Sequence, residues 1–288
     1  MAAIFPSTSH YKGNAEPATL LAQLGALVRS SGEARKRRPF LAGGLVVALA
    51  FTALFAVLAV NAAGPLPLLA AGGGLAGACA AVLAVLLVRA NARIVDERRA
   101  GLAAAVVRCL ACDLPPGGGL EVQVDFTGYH DAKFRTAAWP GGFGTQEYRQ
   151  PWLGVAGRLA DGGRLKLQAT LVVRRKERLK KKGRKKIKED LCEHVTLALR
   201  HRALPPAAPA RWPDLVRSRP LPPGALLRRA GVKHNRLTVE VRTQRCVRVT
   251  NKGTVTSGHD AEKRLASRHT LLAPMLAAYH ALHACRAG

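Results

Sequence analysis

The sequence predicts an α+β protein in which a transmembrane helical hairpin precedes a cytosolic domain. That domain carries an antiparallel sheet, a long protruding basic β-hairpin and a C-terminal helix. Three observations predict it. No charged residue lies between Pro39 and Arg89. Apolar residues alternate with polar ones in several runs after Gly119, the period of a half-buried strand. A helical apolar period returns near the C-terminus.

The first residues, 1–16, show no period and are expected to be disordered. From Pro17, the residues Leu20, Leu21, Leu24, Leu27 and Val28 recur at helical spacing, and Pro17 suits a first helical turn. This short amphipathic helix either lies on headgroups or docks on the main domain. With the basic stretch Arg35–Arg38 it forms a cytosolic N-terminal segment, residues 1–39. Residues 40–60 and 66–88 are uncharged runs of 21 and 23 residues. Each is long enough to cross about 30 Å of hydrocarbon at about 1.5 Å per residue. "NAAGP" between them is turn chemistry without charge. The competing reading, a buried soluble helix pair, is disfavoured by the length of the two runs. Residues 40–90 are therefore read as a two-helix transmembrane hairpin. Basic residues flank both outer ends: Arg35, Lys36, Arg37 and Arg38 before, Arg89, Arg93, Arg98 and Arg99 after. That pattern predicts an inner (cytoplasmic) membrane protein with both termini in the cytoplasm. Ala70, Gly73, Gly74, Ala76, Gly77 and Ala80 give the second run a small-residue face. It serves packing within the hairpin or pairing of protomers into an oligomer.

Residues 91–288 make up the predicted cytosolic α+β domain. Helix continues to Cys112 and stops at "PPGGG". Leu120, Val122, Val124 and Phe126 then alternate with polar residues, as do Leu153, Val155 and Leu159, then Leu165, Leu167, Ala169, Leu171 and Val173. Leu191, Val195, Leu197 and Leu199 alternate again. Placing Leu167 opposite Leu199, Ala169 opposite Leu197, Leu171 opposite Val195 and Leu179 opposite Ile187 predicts one long hairpin over residues 165–201. Its turn is "KKKGRKK", and its outer part projects from the core because the apolar pattern thins after Val173. Residues 203–232 hold seven of the 17 prolines and read as a linker, with one short helix at residues 225–229. "RLTVEVRT" and "CVRVTNKGTVT" read as a further antiparallel pair, with "NKG" as a turn. Residues 260–285 read as a helix burying Leu265, Leu272, Met275, Leu276, Tyr279 and Leu282 or His283, with a kink or break at Pro274.

Charge points to the partner. Lys and Arg total 45 against 18 acidic residues, a formal charge of +27, which implies an anionic surface or ligand. Between Arg174 and Lys188 lie 11 basic residues and one acidic residue, and seven of them are Lys. Lys is a mobile point charge suited to diffuse anionic surfaces. Arg178, Lys180, Lys181, Lys182, Arg184, Lys185, Lys186 and Lys188 are the candidate anion-binding residues. The bland reading is a solvated strand edge, for which a few lysines would suffice. Lipid headgroups or an acidic protein are the expected partners, and nucleic-acid phosphate is the alternative.

Six of the 14 aromatic residues fall in one segment: Tyr129, Phe134, Trp139, Phe143, Tyr148 and Trp152. Interleaved with Lys133, Arg135 and Arg149, they form either a base-stacking loop or a loop packed on the sheet, the latter being the simpler reading. Cys109 and Cys112, with His280 and His283, pair at three-residue spacing on two predicted helices. They would make a zinc site only if those helices packed together. No metal or other cofactor is expected. His130–Asp131 and His259–Asp260 are sequence neighbours whose side chains diverge. No phosphate-cradling glycine loop, nucleophile elbow or carboxylate pair is present. The composition thus favours a membrane-anchored interaction or scaffold protein, with a membrane-tethered nucleic-acid binder as second reading. A membrane-bound enzyme of unrecognised type is the third.

Overall fold

The computed structural model describes residues 10–61, 67–92, 94–139, 144–179, 185–201, 208–251, 254–257 and 268–287. They form an α+β structure with five helices and a ten-stranded antiparallel sheet among the described residues. The chain divides into a helical unit, residues 25–97, and a sheet unit, residues 10–24 and 98–288.

In the helical unit, α1 (Pro17–Asn61) passes through Pro39 without ending, and α2 spans Pro67–Ala92. Both are long and apolar enough to cross a membrane. Their apolar side chains face outward: Phe40 is 81% exposed and Leu75 69%. Within this chain the two helices are therefore not a buried pair, and apolar surface on this scale is one that soluble proteins usually conceal. Phe55 packs over Gly72 and Gly73, and Leu83 over Gly44, so close approach uses glycine here. Gly74 and Gly77 meet nothing within 4 Å. The small-residue face is thus only partly used inside the pair. Helix does not run from Arg89 to Cys112 as predicted. It ends at Ala92 and restarts as α3 (Glu97–Ala111). The break is held from α1: Val95 N–H donates to Ser31 Oγ at 3.1 Å, and Arg35 donates to Val95 O at 3.2 Å and pairs with Glu97 at 3.0 Å.

The sheet unit opens on β1 (His10–Ala15), which was not predicted. It pairs with β2 (Leu120–Asp125) at one sheet edge, so its polar alternation is that of an edge strand. The first turns of α1 dock on this unit, with Leu20 and Leu24 buried and Gln23 accepting from Tyr11 Oη at 2.6 Å. This decides between the two readings of the N-terminal helix. Next come β3 (Arg135–Trp139), β4 (Thr145–Arg158), β5 (Arg164–Leu179) and β6 (Lys185–Arg200). They are followed by α4 (Ala208–Arg217), β7 (Ala225–Lys233), β8 (Arg236–Thr243), β9 (Cys246–Asn251), β10 (Thr254–Ser257) and α5 (Arg268–Ala287).

The sheet runs β1-β2-β4-β5-β6-β8-β7, with β3 on β4 and β9-β10 on β6. The long hairpin exists as β5 and β6, but two residues out of the predicted register. Leu165 faces Leu199, Leu167 faces Leu197, Ala169 faces Val195 and Leu171 faces Glu193. An even shift keeps every side chain on its face. The outer half does not project alone. β4 follows β5 as far as Lys176, and β9 follows β6 as far as Lys186. The polar sequence there reflects two polar faces, while the backbone is paired on both sides.

The predicted linker also needs correction. Residues 225–229 begin a strand, and the helix of this region is α4. Its Trp212 is buried and donates Nε1–H to Ala278 O at 3.3 Å, joining α4 to α5. β8 and β9 do not pair with each other. They lie end to end along β6. In α5, Pro274 sits inside a continuous helix. Its buried face carries Leu271, Ala273, Met275, Ala277, Ala278 and Ala281, whereas Leu276 is 59% exposed. The small alanines let α5 lie close on β6 and β8, which the spacing of large residues did not indicate. Leu265 lies outside the described residues.

Candidate anion-binding surface

Strand alternation separates two faces. Leu165, Leu167, Ala169, Leu171 and Val173 of β5, with Leu191, Val195, Leu197 and Leu199 of β6 and Leu237, Val239 and Val241 of β8, are buried. Gln150, Leu171 and Glu193 lie opposite one another on β4, β5 and β6. Consecutive arginines of α3 reach this row. Arg99 donates to Gln150 Oε1 at 3.0 Å and to Asp125 O at 2.8 Å, and Arg98 meets Glu193 at 3.4 Å. Hence α3 covers this face. The two-residue register shift places Glu193 level with Gln150 on the far side of Leu171, where Arg98 meets the first and Arg99 the second.

Buried acids are matched by bases throughout the unit. Glu193, Glu189, Asp125 and Glu147 are 1%, 5%, 8% and 9% exposed. Glu189 accepts from Tyr129 Oη at 2.5 Å and lies 4.0 Å from Arg248. Asp125 meets His10 at 3.3 Å and Lys133 at 3.7 Å, and Glu147 meets Arg149 at 3.0 Å and Arg174 at 3.5 Å. With these carboxylates already paired, the opposite face is left with exposed bases: Arg158, Arg164, Lys166 and Arg200. None of these four forms an ion pair among the described residues.

Of the predicted tip residues, Arg178 and Lys188 are exposed, and Lys188 lies 3.7 Å from Asp190. Lys186 is half-buried, and the backbone of Lys185 opens β6 opposite Leu179. Lys180, Lys181, Lys182 and Arg184 lie outside the described residues.

The aromatic segment is not a long loop. It forms a 3₁₀ turn (Ala132–Phe134), β3 and the first half of β4. Tyr129, Phe134, Tyr148 and Trp152 are buried. The Tyr129 and Tyr148 rings meet edge to face at 5.8 Å, and Arg99 lies 5.7 Å over Trp152. These four rings are packing groups without an open stacking face. Phe143 lies outside the described residues, as does the side chain of Trp139. Cys109, Cys112 and His280 are exposed, and His283 lies outside the described side chains. Among the described residues no three potential metal ligands gather.

Burial holds Tyr129 well above the usual phenol range, and its hydrogen bond to Glu189 adds to this. The phenol therefore remains a donor. Tyr129→Phe removes that donor from a buried carboxylate. We expect about 2 kcal/mol of destabilisation, read by denaturation of the full chain in detergent. Burial also lowers the pKa of His130 and of His194 from 6.5, with Arg175 acting in the same sense on His130 and Arg228 on His194. A folded pKa below the unfolded one gives stability that is present above the unfolded value and lost as pH falls. Acidification from about pH 7 to about pH 5 should therefore lower the melting temperature. His130→Gln with His194→Gln should flatten that fall. Equal slopes would remove the two imidazoles from the explanation.

Comparison of the chain with protein-family models, with characterised proteins and with solved structures gives no match.

Proposed function

We propose that the protein is a membrane-anchored interaction protein of the cytoplasmic face. In this reading α1 and α2 cross the inner membrane, both termini stay in the cytoplasm, and the basic sheet and hairpin tip engage anionic lipid headgroups. The observation that carries it is the partition of charge: buried acids are paired with bases, and one sheet face retains exposed arginines and lysines. Support for the anchor comes from the outward-facing apolar side chains of both helices, which water would solvate poorly. Burial of four of the six aromatics argues against base stacking and so favours lipid over single-stranded nucleic acid. An anchored chain also meets lipid phosphate at high local concentration.

The test uses full-length protein in neutral nanodiscs, mixed with separate vesicles. Anionic vesicles should be captured and released by salt, while neutral vesicles should not bind. Capture of DNA or RNA without capture of anionic vesicles would replace this reading with the nucleic-acid one. Resistance to carbonate extraction and labelling of both termini only from the cytoplasmic side test the anchor. A chain recovered without detergent would refute it.

A further inference from the structure

The end of the sheet opposite the hairpin tip carries a feature that the lysine-rich turn does not explain. Arg158 of β4 faces Arg164 of β5, Arg164 faces Arg200 of β6, and Arg200 faces Arg236 of β8. Lys233 of β7 completes the row opposite Arg236. Five neighbouring strands thus present five cations side by side, all exposed. The four arginines span about 14 Å at about 4.8 Å per strand. Like charges directly opposite one another oppose sheet formation. None of the five has an ion-pair partner among the described residues. The acid of the adjoining turn, Asp161, is already engaged: it lies 3.3 Å from His201 and accepts from Gly163 N–H at 2.9 Å. A recess of about 350 Å³ opens here, lined by Arg158, Gly162, Arg164, Arg200, His201 and Asn235. Gly162 adopts φ +80°, a turn conformation suited to glycine, and nothing lies within 4 Å of its missing side chain.

We propose that this arginine row is a binding site for clustered phosphate groups, on a soluble oligophosphate or on a lipid headgroup bearing a phosphomonoester. The residue type separates it from the hairpin tip. Lysine serves a diffuse surface, whereas guanidinium forks bind phosphate oxygens in pairs and hold them in place. An unneutralised row is repulsive when empty and becomes favourable once a polyanion bridges it. The site is independent of the lysine-rich turn, so either can fail alone.

Full-length protein in zwitterionic nanodiscs is titrated with tripolyphosphate. Binding and a rise in melting temperature are expected. In Arg164→Gln with Arg200→Gln the affinity should fall by about tenfold or more. Arg164→Lys with Arg200→Lys should lose most of the same affinity despite unchanged charge. Replacing the five lysines 180, 181, 182, 185 and 186 by Ala should leave it intact. Ligand-free melting of the Gln pair should be no lower than that of wild type, because repulsion is relieved. If that pair fails to fold, Arg158→Gln with Arg236→Gln makes the same test. A second arm compares vesicles containing phosphatidic acid with phosphatidylglycerol vesicles of equal surface charge. Preference for phosphatidic acid that depends on the arginine row assigns the phosphate to lipid. A response to tripolyphosphate alone assigns it to a soluble compound. Absence of both responses in wild type overturns the proposal, as does equal tripolyphosphate binding by the Gln variants or by the Lys pair.

Discussion

Replacing Lys180, Lys181, Lys182, Lys185 and Lys186 together by Ala is expected to remove most of the capture of anionic vesicles by the full-length protein. Basic side chains near an anionic surface contribute about 1 kcal/mol each, so five of them account for about 5 kcal/mol, or several thousandfold in affinity. Lys185 and Lys186 open β6, at the end of the strand remote from its buried residues Val195, Leu197 and Leu199, so the fold should be retained. Changing the same five to Arg keeps the charge and should keep capture. The effect should shrink in wild type as salt rises, because the Debye length falls below about 8 Å above physiological ionic strength. Vesicle flotation across a salt series measures all three. Undiminished capture by the Ala variant would remove the turn from the mechanism and leave the basic sheet face to account for binding.

What could be read from the sequence depended on whether period and burial coincided. β2, β5, β6 and β8 bury one side cleanly, so their alternation was visible. The first half of β4 was not, for two reasons. A bulge between Pro151 and Leu153 changes which residues face inward. Its polar side chains, Glu147 and Gln150, are also among the buried ones. A bulge between Leu227 and Arg229 disturbs β7 in the same way, and the neighbouring prolines drew the reading toward a linker. The hairpin register failed by two because pairing apolar with apolar ignored Glu193. That acid sits between Leu191 and Val195 in an otherwise apolar register, which was the available signal for a partner elsewhere in the chain. Of the candidate site, the charged turn was legible as composition. The arginine row was not, because its members are neighbours only after β4, β5, β6 and β8 assume their register.

Arg99 carries the second large effect. Its side chain is 8% exposed and bridges α3 to the sheet, donating to Asp125 O at 2.8 Å, Thr127 O at 3.3 Å and Gln150 Oε1 at 3.0 Å. Gln150 is fully buried and donates Nε2–H to Thr127 O at 2.6 Å, so the two side chains form one network with that carbonyl. Arg99→Met keeps much of the volume and the contact with Trp152 but removes every donor. Each buried acceptor left without its donor costs about 1–3 kcal/mol, which places the loss at about 3–5 kcal/mol. Arg99→Met combined with Gln150→Leu replaces both polar partners by apolar ones and should recover part of it. Denaturation of the full chain in detergent provides the comparison. Full stability in the single variant would mean that α3 is held by its apolar side alone, through Ala103, Val106, Val107 and Leu110. The arginine pair would then cease to explain why β6 sits in the register that builds the basic face.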